Sequence, residues 1–244
     1  MLSAVDRPMK HKRSDLVWLF DLDNTLHNAS HAIFPAVNQK MNAYMARVLG
    51  DGIHPADPAT VDAARLLYWR RYGATLMGLI RHHGVNADEF LHEAHHFEDL
   101  PSMIRAERGL DGWLRRLPGR KILLTNAPRK YARDVVRHLG LHRHFAEHIP
   151  IEAMRVHGQL RPKPSRQYLR KLLATLKVDA GRCVLVEDTV ANLRAAKQLG
   201  MRTVLVTQYL PRQAKRPGRS KKSAACIDVT VKSVHQLPGR RLSR

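Results

Sequence analysis

The chain has 244 residues, of which 44% are hydrophobic. This content can bury the core of one large domain, or of a core with an insert, and it excludes a globally disordered chain. Lys and Arg number 42 against 21 acidic residues, a formal net charge of +21. The basic residues are spread along the chain, which is typical of a solvated surface, although such a charge also favours anionic partners.

The first predicted element is a short buried strand at Leu16–Phe20, because this run is apolar throughout. Two carboxylates follow it, Asp21 and Asp23. Residues two apart in a strand point the same way, so these carboxylates are expected side by side. Such a pair is costly unless a cation neutralises it. Ligands of open α/β sheets bind at the carboxyl ends of strands, where this pair is placed.

The chain then changes to a helical pattern. Apolar residues recur at helical spacing, and no convincing strand appears between Thr25 and Lys121. The predicted helices here are Pro35–Leu49, Pro58–Tyr72, Ala74–His83 and Ala87–Phe97. We therefore expect residues 30–100 to form an all-helical insert, with residues 1–29 and 101–244 forming a discontinuous core.

Helices and strands alternate in the rest of the chain. The predicted helices are Leu110–Leu117, Lys130–Leu139, Ser165–Leu176 and Val190–Leu199. The predicted strands are Lys121–Thr125, His148–Met154, Val184–Glu187, Thr203–Val206 and an edge strand at Asp228–Val231. This alternation predicts the α/β class, with a mostly parallel sheet covered on both faces. Residues 211–223 contain six basic residues and no acid, and are predicted to form a surface loop.

Polar residues also stand where the later strands end. Thr125 and Asn126 follow one strand, Glu187 and Asp188 end another, and Lys163 lies between two prolines just before a helix. In a parallel sheet these ends converge on one edge. The predicted site therefore holds Asp21, Asp23, Thr125, Asn126, Lys163, Glu187 and Asp188.

This set of side chains fits phosphate chemistry. Several hard oxygen ligands favour Mg²⁺, while a lysine, a hydroxyl and backbone N–H groups bind phosphate. One carboxylate can attack phosphorus, and a second can protonate the leaving oxygen and then deprotonate water. The structural alternative is that Asp21 and Asp23 cap a turn and that Glu187 and Asp188 cap the next helix.

The four motifs together resemble those of the haloacid dehalogenase superfamily. They are D-x-D-x-T at residues 21–25, Thr125 at a strand end, the isolated Lys163, and the acidic pair at 187–188. The resemblance covers residues 16–207. It implies a Rossmann-like core with a small helical cap inserted after the first motif, and the aspartate at position 23 is the pattern of the phosphatase branch.

The resemblance also implies roles for these residues. Asp21 becomes the nucleophile and Asp23 the general acid and base. Phosphate is bound at Thr125, Asn126 and Lys163. The implied Mg²⁺ ligands are Asp21, the Asp23 carbonyl and Asp188, with Glu187 either a direct ligand or placed behind them.

Two further segments, Tyr72–Leu79 and Thr125–Ala132, resemble the pyrimidine 5′-nucleotidase branch. This likeness implies UMP and CMP as small-molecule substrates, with Tyr72, Gly73 and Leu76 as candidate contacts. Tyr72 either stacks on a base or packs in the helical insert. The alternatives are a phosphatase of another small ester, such as a sugar phosphate or phosphoglycolate, and a nucleic-acid binder on a phosphatase-like core. No nucleic-acid-binding motif supports the last of these.

The remaining histidines and cysteines are given structural interpretations. His92, His95 and His96 share one helix face but have no identifiable acidic or cysteine partner, so a packed or solvated cluster is favoured over a metal site. Cys183 and Cys226 do not form a disulfide framework. With no apolar run of about 18 residues and no secretion signal, we expect a cytoplasmic protein without a membrane span; the oligomeric state is left open.

Overall fold

The computed structural model describes residues 16–210 and 225–237. The strands in these ranges are β1 (Val17–Phe20), β2 (Arg120–Leu124), β3 (Glu147–Ile149), β4 (Arg155–Val156), β5 (Gln159–Leu160), β6 (Cys183–Glu187), β7 (Arg202–Val206) and β8 (Val229–Val231). The helices are α1 (Ile33–Leu49), α2 (Pro58–Tyr72), α3 (Thr75–His83), α4 (Ala87–Ala94), α5 (Leu100–Met103), α6 (Leu110–Arg116), α7 (Arg129–His138), α8 (Arg166–Leu176) and α9 (Val190–Lys197).

Six of the described strands form one sheet in the order β3-β2-β1-β6-β7-β8, and every neighbouring pair is parallel. Alternate residues of β1 face opposite sides. Trp18 and Phe20 pack in an apolar layer with α6 and α7, whereas Val17 and Leu19 pack in a second layer with α8 and α9. The predicted α/β class and parallel sheet are therefore confirmed, including the edge position of β8.

One predicted strand is wrong in length. The segment 148–154 was predicted to be extended throughout, but β3 ends at Ile149, and a single 3-10 turn follows Pro150. Proline cannot donate to the ladder, so pairing stops there. The next residues form the β4–β5 hairpin, which the sequence did not predict. Its two-residue turn, His157 and Gly158, has positive φ at both positions, as a tight hairpin requires.

The helices α1 to α4 form the insert between β1 and β2. Their apolar side chains build a separate cluster that includes Tyr44, Tyr68 and Leu79, and Leu160 of β5 joins it. The first turns of α1 pack instead in the core layer of α6 and α7. The division at residues 30 and 100 remains our proposal for the domain boundaries.

The predicted basic loop at 211–223 lies outside the described residues. Within the described residues, we find no helix with both the length and the apolar character needed to span a membrane.

Candidate active site

The carboxyl ends of the central strands meet at Asp21. Phe20 pairs in register with Leu123 of β2 and with Val186 of β6. The Asp21 N–H donates to the Val186 carbonyl at 3.0 Å, which continues the ladder one residue further. The sheet order extends in opposite directions from β1, so this edge is the switch point at which ligands bind in such sheets.

The turn after β1 is fixed by its own side chains. Asn24 has a left-handed φ of 59°, a conformation that asparagine tolerates better than most residues. Its amide exchanges two hydrogen bonds with Ser30. The Thr25 hydroxyl donates to Asp21 Oδ2 at 3.1 Å. Asn24 and Ser30 therefore fix the turn that follows the two aspartates, and Thr25 in this turn orients the Asp21 carboxylate.

A buried lysine bridges two carboxylates at this edge. Lys163 Nζ lies 2.7 Å from Asp21 Oδ1 and 2.8 Å from Glu187 Oε2, and all three side chains are buried. Burial raises the pKa of Asp21 to about 7, and the charge of Glu187 adds to this shift. Burial also raises the pKa of Glu187 to about 7. Burial alone would lower the pKa of Lys163, but the two carboxylates outweigh it and raise that pKa above its usual range.

Asn126 joins the end of β2 to the backbone of Lys163. Its Oδ1 accepts from the Lys163 N–H at 2.9 Å, and its Nδ2 donates to the Lys163 carbonyl at 3.0 Å. Both ends of the amide thus hold the lysine backbone, and phosphate binding by Asn126 stays a prediction. Thr125 is buried at the end of β2, where its hydroxyl oxygen accepts from the Ala127 N–H.

The acidic residues form a cluster of the kind that holds a cation. Asp21, Glu187 and Asp188 each place a carboxylate oxygen within 4.8 Å of the others. Burial raises the pKa of Asp188 to about 6, and the charge of Asp21 adds to this. One lysine cannot balance three carboxylates, so the donor set fits a hard divalent cation such as Mg²⁺.

Glu187 already has four hydrogen-bond donors. Its Oε2 accepts from Lys163 Nζ and from Asn192 Nδ2 at 2.9 Å. Its Oε1 accepts from the backbone N–H groups of Asp188 and Thr189, both at 3.2 Å. These bonds use the acceptor sites of the carboxylate, so Asp21 and Asp188 are the better placed ligands for a cation.

Asp23 has an environment that the sequence did not reveal. Its Oδ1 accepts from the Tyr131 hydroxyl at 2.6 Å and lies 2.8 Å from His27 Nε2. Burial raises the pKa of Asp23, but these hydrogen bonds and the charge at His27 outweigh it, so the net shift is downward. Burial and the charge of Asp23 raise the pKa of Tyr131 well above its usual value. The Tyr131 ring packs 5.5 Å from that of His95.

These three residues had weak sequence signals. His27 follows Asp23 by four residues, but the segment is a turn and not a helix. Tyr131 is separated from Asp23 by 108 positions. His95 follows α4 as its C-cap residue, whereas the sequence predicted that helix to continue to Phe97.

The three candidate substrate contacts in the insert, Tyr72, Gly73 and Leu76, differ in their exposure to solvent. Gly73 caps the C-terminus of α2 with φ of 79°, and a Cβ built there would lie 3.6 Å from the Pro164 side chain, so this turn lies beside the segment that carries Lys163. Tyr72 is half-buried, and its hydroxyl lies 2.6 Å from His82 Nε2. Leu76 is only 4% exposed and packs in the insert, so we leave it out of the substrate contacts.

Residues 17–200 match the haloacid dehalogenase-like hydrolases. The chain therefore belongs to this family of hydrolases, as its motifs predicted.

Several solved structures share the fold. A HAD phosphatase from Thermococcus onnurineus is 19% identical, with a TM-score of 0.58, over 91% of this chain and 95% of that one. A 2-haloacid dehalogenase from Pseudomonas syringae is 21% identical, with a TM-score of 0.55, over 91% and 96%. A haloacid dehalogenase-like hydrolase from Streptococcus pneumoniae is 14% identical, with a TM-score of 0.56, over 91% and 96%. These similarities concern the fold and do not define a substrate.

Proposed function

We propose that this protein is a Mg²⁺-dependent phosphatase that forms an aspartyl-phosphate at Asp21, with pyrimidine nucleoside 5′-monophosphates such as UMP and CMP as its substrates. The observation that carries the proposal is the buried bridge from Lys163 to Asp21 and Glu187, beside Asp188. The membership in a hydrolase family supports the reaction class.

In the first step, an oxygen of Asp21 attacks phosphorus, and the bond from phosphorus to the ester oxygen breaks. Lys163 and the Thr25 hydroxyl hold the two Asp21 oxygens in place, and orienting a nucleophile in this way lowers the entropic part of the barrier. The leaving oxygen takes its proton from Asp23.

In the second step, Asp23 accepts a proton from water, and the hydroxide attacks the phosphoryl group. Inorganic phosphate is released, and the Asp21 carboxylate is restored. The lowered pKa of Asp23 leaves it ionised in the free protein. A bound phosphate places a like charge close to Asp23 and raises that pKa, so substrate binding favours the protonated form that the first step needs.

The carboxylates of Asp21 and Asp188 and the backbone carbonyl of Asp23 would hold the Mg²⁺ ion. When bound, the ion offsets negative charge on the phosphate and on the carboxylates. Glu187, with its acceptor sites taken by four donors, positions Lys163 and stays behind the ligands.

The substrate class rests on the insert. The catalytic residues recognise a phosphate and an ester oxygen, which every phosphate monoester offers. Tyr72 lines a cleft beside the Gly73 turn, and this turn lies beside Pro164, the residue after the catalytic lysine. An aromatic ring there supports a substrate that carries a base.

The test is release of inorganic phosphate from a panel of esters with Mg²⁺: UMP, CMP, purine monophosphates, sugar phosphates, phosphoglycolate and an aryl phosphate. We expect the highest kcat/KM for UMP and CMP, and no turnover by Asp21→Asn, whose amide has nearly the same shape but cannot attack phosphorus.

Normal turnover by a folded Asp21→Asn variant would refute the nucleophile. A preference for sugar phosphates or phosphoglycolate would move the substrate to another small ester. Binding of RNA or DNA with a steep salt dependence, without turnover of any ester, would favour the nucleic-acid alternative.

A further inference from the structure

A cleft of about 800 Å³ lies between the helical insert and the β4–β5 hairpin. Its apolar side chains are Met77, Ile80, Val85, Ala87 and Leu160, and the ring of Tyr72 lies beside them. Four arginines also line it: Arg71, Arg81, Arg155 and Arg161. The acidic residue on the wall is Asp88.

The positive charge of this cleft is not balanced. Within residues 16–210 and 225–237, none of the four arginines forms an ion pair. Arg155 donates to two backbone carbonyls, and Arg161 to the Gln159 side chain. The guanidinium groups of Arg71 and Arg81 lie 5.6 and 5.9 Å from the centre of the Tyr72 ring. These contacts leave a net positive cleft that favours an anion.

The side chains that line the cleft restrict the chemical class of ligand that it can bind. Guanidinium groups bind phosphoryl oxygens in bidentate pairs, and several of them match a ligand with more than one phosphoryl charge. The apolar side chains and the aromatic ring fit a planar organic body. A cleft of this volume is of the size that holds a nucleotide.

We propose that this cleft binds a nucleotide with more than one phosphoryl group. The site is separate from the catalytic edge, where Lys163 is already bridged to two carboxylates. It lies close to that edge, because Arg161 precedes Lys163 by two residues and the Gly73 turn lies beside Pro164. Two ligands offer this combination of a planar base and phosphoryl groups. One is the far end of the substrate itself, and the other is a separate nucleotide. If the ligand is the far end of the substrate, the inference deepens the proposed function and rests on it; if it is a separate nucleotide, the inference goes beyond that function, since binding needs no turnover.

The first test is calorimetric titration of the full chain with CTP, in Mg²⁺ and again with a chelator. Without a metal ion, the catalytic edge has more carboxylates than cations and repels phosphate, whereas the arginine cleft needs no metal. We therefore expect CTP binding to persist in the chelator and to weaken as salt is raised.

The variant that tests the cleft is Arg81→Gln/Arg155→Gln. Its matched control is Arg137→Gln/Arg170→Gln, which removes two exposed arginines outside the cleft and makes the same change in net charge. We expect the Kd for CTP to rise on the order of tenfold or more in the cleft variant and to stay unchanged in the control. Both variants should hydrolyse an aryl phosphate normally.

A kinetic comparison of cytidine 3′,5′-bisphosphate with CMP distinguishes the two sources. A selective loss of kcat/KM for the bisphosphate in the cleft variant assigns the cleft to the far end of the substrate. An unchanged ratio, with CTP binding lost, assigns it to a separate nucleotide.

Equal CTP affinity in the cleft variant and its control, or no CTP binding in the chelator, would refute the proposal that this cleft binds a nucleotide. Neither result depends on phosphatase activity. A chain that hydrolyses no monoester but still binds CTP through these arginines would refute the proposed function and leave the cleft assignment intact.

Discussion

Charged side chains gather at two places, the carboxyl edge of the sheet and the arginine cleft beside the insert. At the edge, Lys163 is bridged to Asp21 and Glu187, and all three are at most 6% exposed. In the cleft, Arg71, Arg81 and Arg155 are exposed and have rings, carbonyls or solvent around them. At the edge the lysine is paired with carboxylates, whereas the arginines of the cleft have no counter-ion among the residues that the structure describes.

The difference follows from burial. A charge removed from water must be paired, or it changes its protonation state, so the edge can exist only as a network whose members hold one another. An exposed arginine is stable without a partner because water solvates it. The edge is therefore preorganised to act on a phosphate, while the cleft remains free to receive a ligand.

Among the substitutions that test this comparison between the edge and the cleft, Asp23→Asn is expected to have the largest effect. The amide has nearly the same shape but cannot pass a proton, and a general acid and base is worth roughly 10²–10⁴ in rate. The loss should be smaller for an aryl phosphate than for CMP, because a good leaving group needs less protonation. Single-turnover rates for both substrates measure this difference. Equal losses would argue against proton transfer to the leaving oxygen.

Lys163→Met tests whether the stability of the edge depends on the pairing of this lysine with Asp21 and Glu187. Removing one partner of a buried ion pair costs about 3–5 kcal/mol of unfolding free energy, and we expect a loss of this size at pH 8 in a chelator. Lys171→Met, at an exposed lysine that bonds a carbonyl, is the control and should lose at most about 0.5 kcal/mol.

The loss of unfolding free energy caused by Lys163→Met should be smaller at low pH. The pKa values of Asp21 and Glu187 are raised to about 7 in the fold, and without the lysine they rise further. Groups with a raised folded pKa stabilise the fold below their unfolded values, near pH 4, and this stabilisation is lost as pH rises through the folded values. Denaturant melts at pH 5 and pH 8 measure the difference. An equal loss at both pH values would contradict the coupling of the three groups.

Much of the edge could be predicted from the sequence because each of its polar residues stands directly beside a recognisable strand or helix. The apolar runs mark the strands, and the polar residues that follow them must meet when the strands are parallel. The bridge from Lys163 to Asp21 and Glu187 realises that expectation. The contacts of Tyr131 with Asp23 and of Asn126 with the Lys163 backbone join distant segments, and no spacing in the sequence indicates them.

The cleft was not predicted at all. Its arginines come from α2, α3 and the hairpin region, and the turn of that hairpin was itself missed. Each arginine alone looks like one of the many solvated basic residues of a chain with a charge of +21. Only the packing of the insert against the hairpin brings them together.

The smallest effect concerns Tyr72, where the insert meets both regions. Its ring lines the cleft, and the Gly73 turn that follows it lies beside the segment of the catalytic lysine. Stacking of a base on an aromatic ring is worth about 1–3 kcal/mol. We therefore expect Tyr72→Ala to raise KM for CMP or UMP on the order of tenfold more than KM for an aryl phosphate.

Tyr72→Phe separates the ring from the hydroxyl, which lies 2.6 Å from His82. Phenylalanine keeps the aromatic face, so it should retain most of the preference for nucleotides if stacking is the cause. If Tyr72→Ala raises KM equally for the nucleotide and the aryl phosphate, Tyr72 is a packing residue that supports the Gly73 turn. Another residue of the insert would then have to recognise the base, and ligand binding in the cleft would depend on its arginines without a contribution from stacking on Tyr72.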